Sequence, residues 1–162
     1  MLLHALPIYH VHGLFVALHC AFLNASKILF LPRFDPDRVM KALPEATVMM
    51  GVPTYYTRLL ERTDFTAGAT AHMRLFISGS APLTEAAFHA FEARTGHKIL
   101  ERYGMTETGM ITSNPLDGER VAGTVGYALP GVEVRVADDA GKEVPRGEVG
   151  IVEVKGPNVF RG

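Results

Sequence analysis

Short apolar runs alternate with helical segments of about ten residues from Leu2 to Tyr103, and this alternation limits the fold more than anything else in the chain. Lys27–Leu31, Thr47–Val52, Arg74–Ser78 and Ile99–Tyr103 read as buried strands, and Leu2-Leu3-His4-Ala5-Leu6-Pro7 reads as a strand entered partway. Between them, Val11–Leu23 reads as a helix apolar almost all round, which predicts deep burial. Asp35-Pro36-Asp37 starts another helix: Asp35 can cap free N–H groups, Pro36 suits the first helical position, and both acids favour the positive end. Its Val39, Met40 and Leu43 recur at helical spacing, and Pro44 stops it. Pro53–Arg62 is a third helix. Thr84 caps a fourth, with Ala87, Phe88 and Phe91 on one face and Gly96 at its end. Strands and helices in this order predict βαβ units, hence an α/β fold with a parallel sheet and helices on both faces.

The pattern changes near Ser113-Asn114-Pro115. Beyond it, Val132–Val136 and Val149–Val154 are rich in β-branched residues and separated by Asp138-Asp139-Ala140-Gly141 and Pro145-Arg146-Gly147. The expected division is therefore an α/β subdomain over residues 1–115 and an incomplete β-rich, barrel-like subdomain over 116–162. Both ends look cut, since native termini are usually polar and frayed, and Met1 reads as an added start.

With 48% hydrophobic and 20% charged residues, the 162-residue chain can bury a core. A formal net charge of −1 without a basic block argues against a nucleic-acid surface. Val11–Leu31, the most apolar stretch, is broken by His12, His19, Asn24, Ser26 and Lys27, so it is no membrane span. The lone Cys20 excludes an internal disulfide and reads as a small buried hydrophobe. Together with the lack of a signal peptide, it predicts a cytoplasmic location.

Two segments can carry chemistry. Ser78-Gly79-Ser80-Ala81-Pro82-Leu83 joins a strand to a capped helix, where backbone can approach a flat or anionic group; a tight turn with no ligand is the plainer alternative. Arg102-Tyr103-Gly104-Met105-Thr106-Glu107-Thr108-Gly109 follows the next strand, so both segments should face one crevice. Tyr103 offers an aromatic plane, Thr106 a hydroxyl for a phosphate oxygen, and Glu107 a hard oxygen ligand for Mg²⁺. The alternative is a polar turn in which Thr106 and Glu107 only cap the chain.

These two segments together resemble the adenylate-forming superfamily of acyl-CoA synthetases, luciferases and peptide-synthetase adenylation domains. Leu6-Pro7-Ile8-Tyr9-His10-Val11-His12-Gly13 is similar to its motif bordering the acyl pocket. Gly123-Thr124-Val125-Gly126 through Pro130-Gly131-Val132-Glu133 is similar to the opening of its β-rich subdomain, and Gly147-Glu148-Val149-Gly150 with Gly156 to Gly162 to the next motif. The resemblance implies that Tyr103 stacks on adenine, with Ser78, Gly79, Ser80 and Ala81 on the opposite side and Gly104 beside them. It implies that Thr106 holds the α-phosphate, Glu107 the Mg²⁺, and that His10 and Met105 border the acyl substrate. ATP and CoA are the implied co-substrates: carboxylate and ATP give an acyl-adenylate, and CoA then displaces AMP. The phosphate loop and its lysine should precede residue 1, and the ribose aspartate, hinge and C-terminal catalytic lysine should follow residue 162. The chain alone is therefore expected to be inactive and to associate through an apolar face that a sister subdomain would cover.

Around His10-Val11-His12-Gly13-Leu14 and Tyr55-Tyr56-Thr57-Arg58 the sequence is similar to malonyl-CoA synthetases. That resemblance implies that Arg58 pairs with the far carboxylate of malonate; the alternative is an outward Arg58 paired with Glu61. Fatty or aryl acids are the other substrates within the superfamily. Two readings from other classes remain: a metal hydrolase using His10 and His12, and a non-catalytic nucleotide-binding module. The first is weakened because the remaining histidines, His4 among them, do not recur at strand ends.

Overall fold

The computed structural model describes residues 1–160, so Arg161 and Gly162, the end of the last motif above, lie outside the described residues. In chain order the strands are β1 (Leu2–His4), β2 (Ile28–Phe30), β3 (Val48–Gly51), β4 (Leu75–Ser78), β5 (Leu100–Met105), β6 (Gly109–Ser113), β7 (Tyr127–Ala128), β8 (Glu133–Ala137) and β9 (Ile151–Lys155). The first seven form one sheet in the order β2-β1-β3-β4-β5-β6-β7. From β2 to β5 every pairing is parallel, and β5, β6 and β7 continue antiparallel. The α/β architecture with a parallel sheet is thus the one the alternation predicts.

The helices form where their caps dictate. Helix α2 (Pro36–Ala42) starts at Asp35, whose side chain accepts from Arg38 N, with Pro36 in the first position. Helix α3 (Pro53–Leu60) also opens on a proline. The short α4 (Ala67–Thr70), which the sequence reading did not include, is capped by Thr66. Helix α5 (Glu85–Thr95) runs from Thr84, which accepts from Ala87 N, to Gly96 in the left-handed conformation that L side chains avoid.

Alternation along each strand divides the sheet into two faces. On one, Leu3, Met49, Phe76 and Ile99 pack beneath Val39, Tyr56, Leu59, Phe88 and Phe91 of α2, α3 and α5. Tyr56 donates from its phenol to Ile77 O, so the one polar group at the centre of this layer is paired. On the other, Leu2, Val48, Met50, Leu75, Ile77 and Leu100 pack with Leu6, Val11, Val52, Tyr55 and Met110 and are covered by Val16, Ala17 and Ala21. Those residues belong to a π-helix, His12–Leu18, that runs directly into α1 (His19–Leu23).

The expectation of deep burial for Val11–Leu23 is not met. Leu14, Phe15, Phe22 and Leu23 are exposed, and so is Cys20, because this helix is a single outer layer with nothing among the described residues packed above it. A second correction concerns Tyr103–Gly109. The segment is not a loop after a strand: β5 continues to Met105, turns at Thr106–Thr108 and returns as β6. β8 and β9 form a separate antiparallel pair, with Arg135–Glu153 and Lys155–Glu133 ion pairs across it. Among the described residues no helix is long and apolar enough to cross a membrane.

Candidate active site

Parallel strands place their C-terminal ends along one edge, where open α/β sheets bind ligands. A cavity of about 220 Å³ lies at that edge. His10, Val11, His12 and Val16 come from the segment after β1, Gly79 and Ser80 from the turn after β4, and Arg102, Gly104, Met105, Thr106, Gly109 and Met110 from the β5–β6 hairpin. Gly104 is required by the hairpin itself, since a Cβ there would collide with the Gly109 carbonyl across the pair.

The two segments singled out in the sequence therefore meet in one cavity, though not every residue of them reaches it. Gly79, Ser80, Gly104, Met105, Thr106 and His10 line the space. His10 is exposed, its ring tilted against Tyr9. Ser78 is fully buried as the last residue of β4, with an Oγ that has no partner. Ala81 is exposed beyond the cavity wall, and Tyr103 is half-buried on β5 opposite Thr112. Glu107 projects from the hairpin turn, which is tied down by Phe160 N donating to Glu107 O (2.9 Å) and Asn158 Nδ2 donating to Thr108 O (3.1 Å). Arg58 is elsewhere. It lies on the exposed side of α3, with its guanidinium 5.1 Å from the centre of the Phe34 ring and no pairing to Glu61.

Three residues that the sequence reading did not assign to the acid site shape its charge. Arg102 sits at the cavity with its Nε donating to Ser113 Oγ (3.2 Å) and, among the described residues, with no carboxylate partner. Burial pulls its pKa down from the ordinary arginine value. His12, considered only as a metal ligand, is buried beside it, and Nδ1 lies 3.1 Å from Ser80 Oγ. Burial, then the Arg102 charge and then His4, hold His12 down to about 4, so its imidazole is neutral at physiological pH. His4 ends β1, which corrects the expectation that no further histidine recurs at a strand end. It is buried and stacked on Phe30 at 5.3 Å. The signal for Arg102 was available: strand alternation puts it on the opposite side from Glu101 and Tyr103.

Glu101 faces the helix-covered side and supports the 78–83 turn from behind. Its Oε1 accepts from Leu83 N (3.2 Å), Oε2 has no partner, and burial pushes its pKa up. No group of three or more His, Cys, Asp or Glu side chains among the described residues could hold a metal ion. A single exposed carboxylate beside phosphate oxygens does suit Mg²⁺, which keeps several waters and takes one or two protein carboxylates.

Known proteins give this geometry a family. The model for AMP-binding enzyme matches residues 1–162. The malonate–CoA ligase of Arabidopsis thaliana is 42% identical over 98% of this chain and 29% of its own length. The mitochondrial malonate–CoA ligase of Homo sapiens is 37% identical over 99% of this chain and 34% of its own. Among solved structures, ATP-bound MatB from Rhodopseudomonas palustris superposes with a TM-score of 0.97 at 60% identity, covering 99% of this chain and 32% of that one. A benzoate CoA ligase from Burkholderia xenovorans LB400 gives 0.87 at 33% identity, covering 98% and 33%. The chain thus spans about a third of the length of these relatives. Over that third, from the strand order to the cavity between the two motif segments, the chain belongs to the AMP-binding enzyme family.

Proposed function

We propose that the protein carrying this chain is an ATP-dependent acid–CoA ligase that activates malonate as its adenylate and passes the malonyl group to CoA. The observation that carries the substrate is Arg102. A desolvated guanidinium without a carboxylate partner, at the wall of a small cavity, is costly unless an anion completes it. Its planar fork fits the far carboxylate of a diacid, whereas a fatty or aryl acid would leave the charge unanswered. We assign the far carboxylate to Arg102 rather than Arg58, which does not line the cavity.

ATP would enter along the 78–83 turn and the hairpin. In this reading Tyr103 stacks on adenine opposite Gly79, Ser80 and Ala81, and Thr106 donates to the α-phosphate. Mg²⁺ held by Glu107 would neutralise phosphate charge as pyrophosphate leaves. His10, at the cavity mouth, borders the carboxylate that attacks phosphorus. The chain's contribution is alignment and charge placement rather than covalent chemistry. The α/β part over residues 1–115 holds these groups, and residues 116–162 begin the β-rich part. We further propose that the intact enzyme is cytoplasmic, and that this chain by itself neither turns over nor stays monomeric.

The test uses the intact enzyme. Arg102→Met should lower kcat/KM for malonate about a hundredfold or more, and for butyrate far less, whereas Arg58→Met should leave both near the parent values. Full malonate activity in Arg102→Met, or a malonate-specific loss confined to Arg58→Met, overturns the assignment. Equal losses for malonate and butyrate would move Arg102 to the nucleotide side.

A further inference from the structure

Ser80 has a backbone φ of 69°, in the left-handed region that glycine, asparagine or aspartate ordinarily fill. A glycine there would relieve that conformation, and what it would lack is the hydroxyl. That hydroxyl has one side-chain partner, His12 Nδ1 at 3.1 Å, reached across 68 residues of chain. The other ring nitrogen, Nε2, has no partner among the described residues, yet it is not among the buried unpaired atoms, so it is accessible on a residue that lines the cavity. Gly79 brings the turn against the same ring: a Cβ on it would touch His12 Cε1 at 3.4 Å.

A neutral imidazole donates from one nitrogen and accepts at the other, and the partner of one decides the role of the other. If Ser80 donates to Nδ1, Nε2 carries the hydrogen and faces the cavity as a donor. In the other tautomer Nε2 presents a lone pair, which repels a carboxylate. Arg102 lines the same cavity and draws an anion to it. We propose that Ser80 is a positioning residue: it holds His12 in the Nε2–H tautomer, so that His12 joins Arg102 as a second donor to the far carboxylate of the acid. This rests on the reading that the cavity receives a dicarboxylate. It adds that one residue of the nucleotide-side turn sets the recognition of the acid.

Two measurements on the intact enzyme test it. In the ¹⁵N spectrum of histidine-labelled protein with malonate bound, His12, assigned by its loss in His12→Asn, should show a protonated Nε2 and an unprotonated Nδ1. Ser80→Gly should shift it toward a mixture of tautomers. In kinetics, Ser80→Gly and His12→Asn should each raise KM for malonate roughly tenfold, as for a lost hydrogen bond to a charged group. Ser80→Gly should raise KM for malonate by a clearly larger factor than it changes KM for ATP or kcat/KM for butyrate, a split that a general loosening of the turn would not give. A dominant Nδ1–H tautomer with malonate bound, or an unchanged malonate KM in Ser80→Gly, overturns the proposal. If Arg102→Met also leaves malonate untouched, the dicarboxylate reading falls with it; if Arg102→Met is impaired, only the role of Ser80 is lost.

Discussion

The two faces of the sheet are built from equally apolar strands but end up in different states. Beneath α2, α3 and α5 the strand residues Leu3, Met49 and Phe76, with Ile99 just ahead of β5, are entirely sealed. Under the π-helix and α1, Leu2, Val48, Met50 and Leu75 each retain between 4% and 9% of their surface, while Ile77 and Leu100 retain 1%. The helix that covers them carries Phe15 and Phe22 on its outside, at 60% and 65% exposure. The difference shows that strand hydrophobicity reports only that a face is covered, while the depth of cover depends on how many helices share the work. It also locates the site: the cavity opens on the thinly covered side, where side chains retain room to meet a ligand.

The largest expected effect lies in the sealed layer. Phe76 packs edge-on against Tyr56, Phe65 and Phe91, with ring centroids 5.0–6.5 Å apart. Phe76→Ala should cost about 3–5 kcal/mol in urea unfolding, because the ring's neighbours cannot close the void. A loss no larger than that from Phe22→Ala would break the contrast between the faces.

Next comes acidity, to which the two faces should respond in opposite senses. His12 and His4, on the thin side, have folded pKa values depressed below the ordinary 6.5. Their contribution is present above that value and is lost as pH falls toward about 4, by up to about 3 kcal/mol for His12. Glu101, on the sealed side, has a raised folded pKa, so its contribution is complete below its unfolded value and fades as pH rises through the folded one. Urea midpoints should therefore drop from pH 7 to pH 5, and drop less in His12→Asn. Glu101→Gln should instead remove the loss that begins as pH rises above the ordinary 4.5. A His12→Asn profile parallel to the parent would show that the imidazole is not held neutral.

A cap in the sealed layer is worth less. Asp35→Ala removes the acceptor for Arg38 N at 3.0 Å and should cost about 1 kcal/mol. The smallest change in stability, within about 0.5 kcal/mol, is expected for Phe15→Ser with Phe22→Ser. The same pair should reduce self-association in light scattering, since it removes exposed apolar surface. Unchanged association would point to the Ile28–Phe30 edge strand instead.

How far the sequence could be read follows the same division. Strands β3 and β4 and helices α2, α3 and α5 were legible because local signals agree: an apolar run, a cap at Asp35 or Thr84, a stop at Gly96. The convergence of the Ser78 and Tyr103 segments was legible from strand order alone. The β5–β6 hairpin was not, because Gly104, Thr106, Thr108 and Gly109 carry loop chemistry, and only the pairing across Met105 and Gly109 makes them strand. Arg58 illustrates a different limit: the rotation of a two-turn helix is set by what packs on it, here Phe34, which stacks on Tyr55 of the helix and lies under Arg58. Arg102 received no role although strand alternation sets it apart from Tyr103, because its burial comes from residues distant in sequence.

The π-helix at His12–Leu18 fits an additional residue into its turn compared with an α-helix. That residue lets two demands coexist on one short stretch: Val16 and Ala17 stay down on the sheet while His12 points across to Ser80. Shortening the stretch by one residue between Gly13 and Phe15 would restore ordinary helical pitch and leave the sheet contacts in place. It would also swing everything ahead of the deletion by about 100° around the axis. Insertion and deletion, more than substitution, are therefore the changes to which this corner of the protein is least tolerant.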